Sequence, residues 1–185
     1  MHKNLGAIVG LYPTSVTIVG TEINGRVNWI NIAHIGIIGV DKMLISMNKI
    51  HYSNEGIKQN KTLSINVINE DMLIEADYVG IVSGAKVSKE NVFKYFKGEL
   101  KGAPLIESAP ICMECEVVDN YETNTHDNFI VKPVNTYVKE EVLNEKGKID
   151  YTKVKPVLFE MPNRQYLNIG SVIGMCWKEG EKYKK

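Results

Sequence analysis

The chain has 185 residues, 44% of them apolar and 24% charged, a length and composition that suit one soluble globular domain with a sizeable core. Its 22 basic side chains balance 22 acidic ones, which excludes a general nucleic-acid or anionic-membrane surface and leaves room only for a local anion site. Three cysteines, Cys112, Cys115 and Cys176, are too few and too odd in number for a disulfide framework and point to a reducing, cytoplasmic home.

The apolar run from Leu5 to Leu11 ends at Pro13 without a small-residue cleavage site, so no signal peptide is expected. Residues 5–21 are uncharged, but Pro13 and several threonines and glycines break them, and strand and turn are expected rather than a membrane span. "TSVTIVG" (14–20) is a β-branched strand, and Asn24-Gly25 in "EING" marks a hairpin turn. The returning stretch "VNWINIAHIGIIG" (27–39) carries no charge, yet sets Asn28, Asn31 and His34 among isoleucines. "MLISM" (43–47) is a short apolar strand.

"TLSINV" (62–67) alternates, with Leu63, Ile65 and Val67 on one face and Thr62, Ser64 and Asn66 on a polar face where a ligand could lie. In "NEDMLIEADYVG" (69–80) the apolar period becomes helical, with Gly80 as a stop. "SKENVFKYF" (88–96) reads as a second short helix capped by Ser88. Residues 102–110 form a proline-punctuated loop, and 111–121 alternate again as a strand. Residues 128–138 follow as a strand in which Pro133 implies an edge or bulge. A charged excursion (140–156), a last strand (166–174) and a frayed, charged tail (178–185) complete a single domain over 1–177. Many short strands with few helices, and no G-x-G-x-x-G, give a mainly β barrel or sandwich.

Cys112 and Cys115 lie three apart in a strand, so they face opposite ways; a redox pair or metal half-site is rejected in favour of small apolar thiols, and no metal is expected. His2, His34, His51 and His126 are scattered, and no nucleophile elbow accompanies them. "SGAKVSK" (83–89) joins Ser83 and a Ser-Gly turn to Lys86 and Lys89 near a helix start, a pattern that suits phosphate but lacks P-loop spacing. Ser46, Asn48, Lys49, His51 and Ser53 form a polar cluster that either faces an anion or is a polar turn leading to another strand.

"YPTSVTIVGTEINGRVNWINIAHIG", "MLISMNKIHYS", "LSINV", "ADYVGIVSGAKVSK", "APLIESAPICMECEV", "THDNFIV" and "YLNIGSVIG" together resemble, in this order, the flavin reductase-like family and its flavoredoxin branch, from about Pro13 to Gly174. The resemblance implies an FMN-binding split β-barrel that forms a homodimer and holds FMN non-covalently near the subunit interface. Asn28 and Asn31, with the backbone of Ile32 and Ala33, would bond the polar edge of the flavin ring, and isoleucines would wall it. Ser53 falls where the family has a threonine near the phosphate, and Lys89 on the lysine of its Ser-Gly-x-x-x-x-Lys run. His34, Ser46, Asn48, His51 and Ser83 join the implied cofactor site, Phe159 is a ring-covering aromatic, and His126 sits where a nicotinamide or another partner approaches. The chain departs from the family in having His34 for a frequent tryptophan, His51 for a frequent arginine, and "VKPV" (131–134) for Gly-Glu-Val.

The function implied is an oxidoreductase passing hydride or electrons from NAD(P)H through FMN to a flavin or protein acceptor. A flavoredoxin-like electron carrier without a nicotinamide site is the alternative, and a cofactor-free dimeric scaffold is a third.

Overall fold

The computed structural model describes residues 1–183. After β1 (Thr14–Ser15) the chain runs through β2 (Thr17–Ile23), turns, and returns as β3 (Arg26–Ile32). The turn residues Asn24 and Gly25 adopt φ of 51° and 77°, the paired positive values that two-residue hairpins favour. Then come β4 (Ile35–Ile37), β5 (Met43–Asn48), α1 (Ser53–Asn60), β6 (Thr62–Val67) and α2 (Leu73–Ile81). β7 (Tyr95–Lys97), β8 (Pro104–Ile106), β9 (Ile111–Glu122) and β10 (His126–Val138) follow, and α3 (Tyr151–Val154), β11 (Leu158–Glu160) and β12 (Gln165–Leu167) complete the regular elements. The polar cluster at 46–56 therefore leads into a helix, α1, and not into a strand.

Seven strands form one antiparallel sheet in the order β3-β2-β6-β9-β10-β5-β4, flanked by the three-stranded β1-β11-β12 and the pair β7-β8. The main sheet is apolar on both faces. Val16, Ile18, Trp29 and Cys112 belong to a cluster with Ala76, Val79, Phe93 and Leu105. Their neighbours Val19, Ile30 and Cys115 belong to a second cluster with Ile45, Met47, Ile57, Leu63, Ile65 and Phe129. Successive side chains alternate between these cores, which explains the near-continuous apolar character of 27–32 and places Cys112 and Cys115 on opposite faces as expected. Pro133 sits at a register shift between β10 and β9, beyond Val131 where the pairing of β10 with β5 ends, so it marks a bulge on a stretch whose other side is an edge.

Five local expectations are corrected. Ser64 and Asn66 do not offer a ligand face, because both are fully buried beneath β8. Ser64 Oγ donates to the Pro104 carbonyl, and Asn66 donates to Ile18 O at 3.0 Å and accepts from the Ile106 N–H at 2.9 Å. The stretch 88–96 is not a helix: a three-residue 3-10 turn at Glu90–Val92 gives way to β7. Phe93 and Tyr95 are held there by the edges of Trp29, with ring centroids 5.8 and 6.0 Å away. The loop at 102–110 contains β8. The last strand stops at Leu167, and Gly80 does not stop α2, which runs on through Ile81. Of the charged tail, Glu179–Lys182 form a 3-10 turn, while residues 184 and 185 lie outside the described residues. No helix among the described residues is long and apolar enough to cross a membrane.

Candidate functional site

Where β3 ends, Asn31, Ile32, Ala33 and His34 form one wall of a cavity of about 360 Å³. Ser46 and Asn48 occupy alternate positions of β5 and so share a face. Asn48 lies opposite His126 across the β5–β10 ladder, and both line the same cavity with His51. Helix α2 supplies Asp77, Gly80 and Ile81, and the small sheet supplies Phe159 and Tyr166, with Met161 beside them. Phe159 and Tyr166 pair across β11–β12, with ring centroids 5.9 Å apart. The result is an open slot with aliphatic and aromatic walls and a few polar tips, the mixture that suits a flat heteroaromatic ligand.

A second cavity of about 190 Å³ shares His51, Gly80 and Ile81 with the first and adds Tyr52, Ser53, Ser83, Gly84 and Lys89. Ser53 opens α1, where the N–H groups of Asn54 and Glu55 donate to His51 O at 3.1 Å and Tyr52 O at 3.2 Å. The electrostatics of this annex are those of cations without a counter-charge. Burial pushes the Lys89 ammonium down to about 8. His51 is lowered by burial first, then by the charges of Lys89 and His126. A bound anion would oppose both shifts by favouring the charged forms. The arrangement is a ring slot continuous with an anion cradle.

The structure thus brings Asn31, Ile32, Ala33, His34, Ser46, Asn48, His51, His126 and Phe159 to one cavity, and Ser53, Ser83 and Lys89 to its annex. Two expected placements change. Asn28 does not face the ring slot. It is buried, donates to Ser53 Oγ at 2.7 Å, and opens on a third, polar cavity with Arg26 and Lys86 that shares Tyr52, Gly84 and Lys89 with the annex. Lys89 does not stand at a helix start but before the 3-10 turn Glu90–Val92. It is 3% exposed, and its ammonium donates to Trp29 O at 3.0 Å and Val79 O at 2.7 Å. Two of its three N–H groups are therefore committed, and one remains for a ligand.

Sequence reasoning missed Asp77, Ile81, Met161 and Tyr166. Tyr166 donates to Asp77 Oδ1 at 2.6 Å and accepts from Asn31 Nδ2 at 3.5 Å. The only local signal for either residue was membership of the motifs "ADYVG" and "YLNIG". No group of three or more His, Cys, Asp or Glu among the described residues is arranged to hold a metal.

Known proteins share this fold. A flavoredoxin from Methanosarcina acetivorans superposes with a TM-score of 0.93 and 33% identity, covering 98% of each chain. Flavoredoxin of Desulfovibrio vulgaris (Miyazaki F) gives 0.90 and 29%, covering 97% of this chain and 100% of the other. A protein of Shewanella frigidimarina with a split barrel domain gives 0.80 at 15% identity, covering 89% and 86%, which speaks for the fold alone. An uncharacterised protein of Aeropyrum pernix is 24% identical over 140 residues, which are 71% of this chain. The match spans about half, 52%, of that curated relative's length. The family described as "Flavin reductase like domain" matches residues 9–166. With that match the mainly β fold is a split barrel, and the chain belongs to the flavin reductase-like family.

Proposed function

We propose that this chain binds FMN non-covalently and passes electrons through it. The observation that carries the reading is the continuity of an apolar-walled slot with a cationic annex, because FMN joins a flat tricyclic ring to a phosphorylated tail. Ile32, Ile81 and Phe159 would wall the ring, and Asn31 would bond its polar edge. Ser53, Ser83 and Lys89 would hold the phosphate, with His51 adding charge when protonated. When bound, FMN supplies hydride acceptance and one- or two-electron transfer. The residues orient the ring, exclude water from one face and leave the side near His126 open to a donor. No protein acid or base is required for that chemistry.

In the leading form the donor is NAD(P)H and the acceptor a flavin or a protein. A carrier form, in which electrons arrive from a redox protein, is favoured by the high similarity to two flavoredoxin structures. FMN added to the purified protein tests the first step, through quenching of its fluorescence and a shifted visible spectrum. NADH or NADPH added anaerobically tests the second. Bleaching supports the reductase, whereas a bound flavin that stays yellow supports the carrier. A colourless protein that takes up no FMN overturns both.

We also propose a homodimer in a cytoplasmic setting. Large apolar side chains stand exposed on the termini and on the loop after β4, including Leu11, Val40, Ile173 and Trp177, and a second copy would cover them. A monomeric mass by light scattering at micromolar concentration would refute this.

A further inference from the structure

The Asn31 amide is held on one side only. Its Nδ2 donates to Ala76 O at 3.0 Å and, more weakly, to Tyr166 Oη at 3.5 Å. Those contacts occupy both amide hydrogens, so Oδ1 is the part of the group left for a ligand. Tyr166 can accept from Asn31 because its own O–H is spent on Asp77 Oδ1 at 2.6 Å. The close approach of α2 to β3 depends on Gly80, since a Cβ there would lie 3.1 Å from Asn31 Cβ. Asn31, Asp77, Gly80 and Tyr166 all line the ring slot, and two separate elements, α2 and β12, thus act on one amide of β3.

We infer that Tyr166 and Asp77 are positioning residues that set the Asn31 amide as a hydrogen-bond acceptor, selecting a ligand whose ring edge presents an N–H. Resting on the FMN reading, the group selected is the imide N–H of the pyrimidine ring, which the flavin carries in every redox state. A freely rotating amide could offer its NH2 to the adjacent carbonyls instead. Without the Tyr166–Asp77 pair that alternative opens, and the preference for an N–H falls. The raised Tyr166 hydroxyl, pushed up to about 12 by burial and then by the Asp77 carboxylate, keeps the phenol a donor to Asp77 throughout the working pH range.

The test compares FMN with N3-methyl-FMN by fluorescence quenching on the purified full chain. The wild type is expected to bind FMN about tenfold more tightly, the discrimination of one well-made hydrogen bond. Tyr166→Phe and Asp77→Ala should each lower that preference to about threefold or less. Asp77→Asn, which keeps an acceptor for the phenol, should retain it. Thermal melting of each variant confirms folding, and the two independent substitutions guard against failure of either one. Equal affinity of the wild type for the two flavins overturns the inference. So does an unchanged preference in both Tyr166→Phe and Asp77→Ala, or a loss of affinity that is equal for both ligands. Those results leave FMN binding itself intact, whereas a wild type that quenches neither flavin removes the functional reading and the inference together.

Discussion

Asn28 donates to Ser53 Oγ across 2.7 Å, tying β3 to the first turn of α1. The direction of this bond matters. A hydroxyl that accepts from an amide keeps its own hydrogen free to donate, and Ser53 lines the annex. Asn28 thus turns Ser53 into a donor toward an anion, although it does not touch the ring slot itself. Gly84 lets the 83–88 loop settle over the pair, because a Cβ there would fall 2.0 Å from Asn28 Oδ1.

Asn28→Asp tests that polarity with almost no change in volume. The carboxylate would take the Ser53 hydrogen and place a negative charge beneath the cradle. FMN affinity should fall by about 2 kcal/mol or more, while riboflavin, which lacks the phosphate, should lose much less. Equal losses for the two ligands in a calorimetric titration would separate Asn28 from the anion site.

Lys89 has two duties, and its substitution should show both. Lys89→Met removes the charge that faces the annex, so FMN binding should weaken by about 1.5–3 kcal/mol. It also leaves Trp29 O and Val79 O without their donor. Against this stands relief from burying an ammonium, so the net loss of stability should be smaller, about 1–3 kcal/mol. Lys146→Ala is the control: Lys146 is exposed and lines neither the ring slot nor the annex, and neither quantity should move.

The lowered Lys89 value makes stability and binding respond to pH in opposite directions. The folded amine releases its proton near 8, against 10.5 ordinarily. Between those values the unfolded chain binds more protons than the folded one. Stability of the ligand-free protein therefore rises with pH across this window, and it is lost again as pH falls through 8. Phosphate binding needs the ammonium, so FMN affinity should decline as pH climbs above about 8. Denaturant melts and FMN titrations from pH 7 to 10.5 measure the two trends, and Lys89→Met should abolish the contribution of this group to each.

The parts of this molecule legible in the sequence are those whose cause is local. The Asn24-Gly25 turn carries its own conformational preference, and the alternation over 62–67 and 111–117 states the strand and its faces directly. What failed was set by partners far along the chain. Ser64 and Asn66 look ligand-facing until β8, some forty residues later, covers them. The burial of Lys89 has no local signal because its acceptor on Trp29 is sixty residues away. Asp77 and Tyr166, 89 residues apart, share no spacing that a one-dimensional reading could connect. The family resemblance reached Asn31, His51 and His126, which periodicity alone would have left as isolated polar residues.

The cysteines make a separate prediction. Burial pushes the thiols of Cys112 and Cys115 up to about 12, and they lie on opposite faces of β9. Cys176 is exposed. A thiol reagent should label one cysteine per chain quickly and the other two only on denaturation. Rapid labelling of two or three in the folded protein would contradict the two-sided core.

His126 separates the two forms of the proposed activity. It lines the ring slot and not the annex, and Thr125 Oγ1 meets its Nδ1 at 2.8 Å, which fixes the ring orientation at the start of β10. Removing the imidazole should leave the phosphate contacts alone. FMN affinity of His126→Ala is thus expected to change by less than about threefold, within the range of ordinary surface substitutions. If a nicotinamide stacks on the open side, His126 shapes its approach. Reduction by NAD(P)H should then slow by about tenfold or more, since a misplaced donor loses its near-attack geometry. Stopped-flow flavin bleaching with saturating NADH or NADPH reads this directly. An unaltered rate makes the histidine a bystander. A wild type that is not reduced at all, yet accepts electrons from dithionite, places this chain among carriers, where His126 borders the surface that a redox partner must reach.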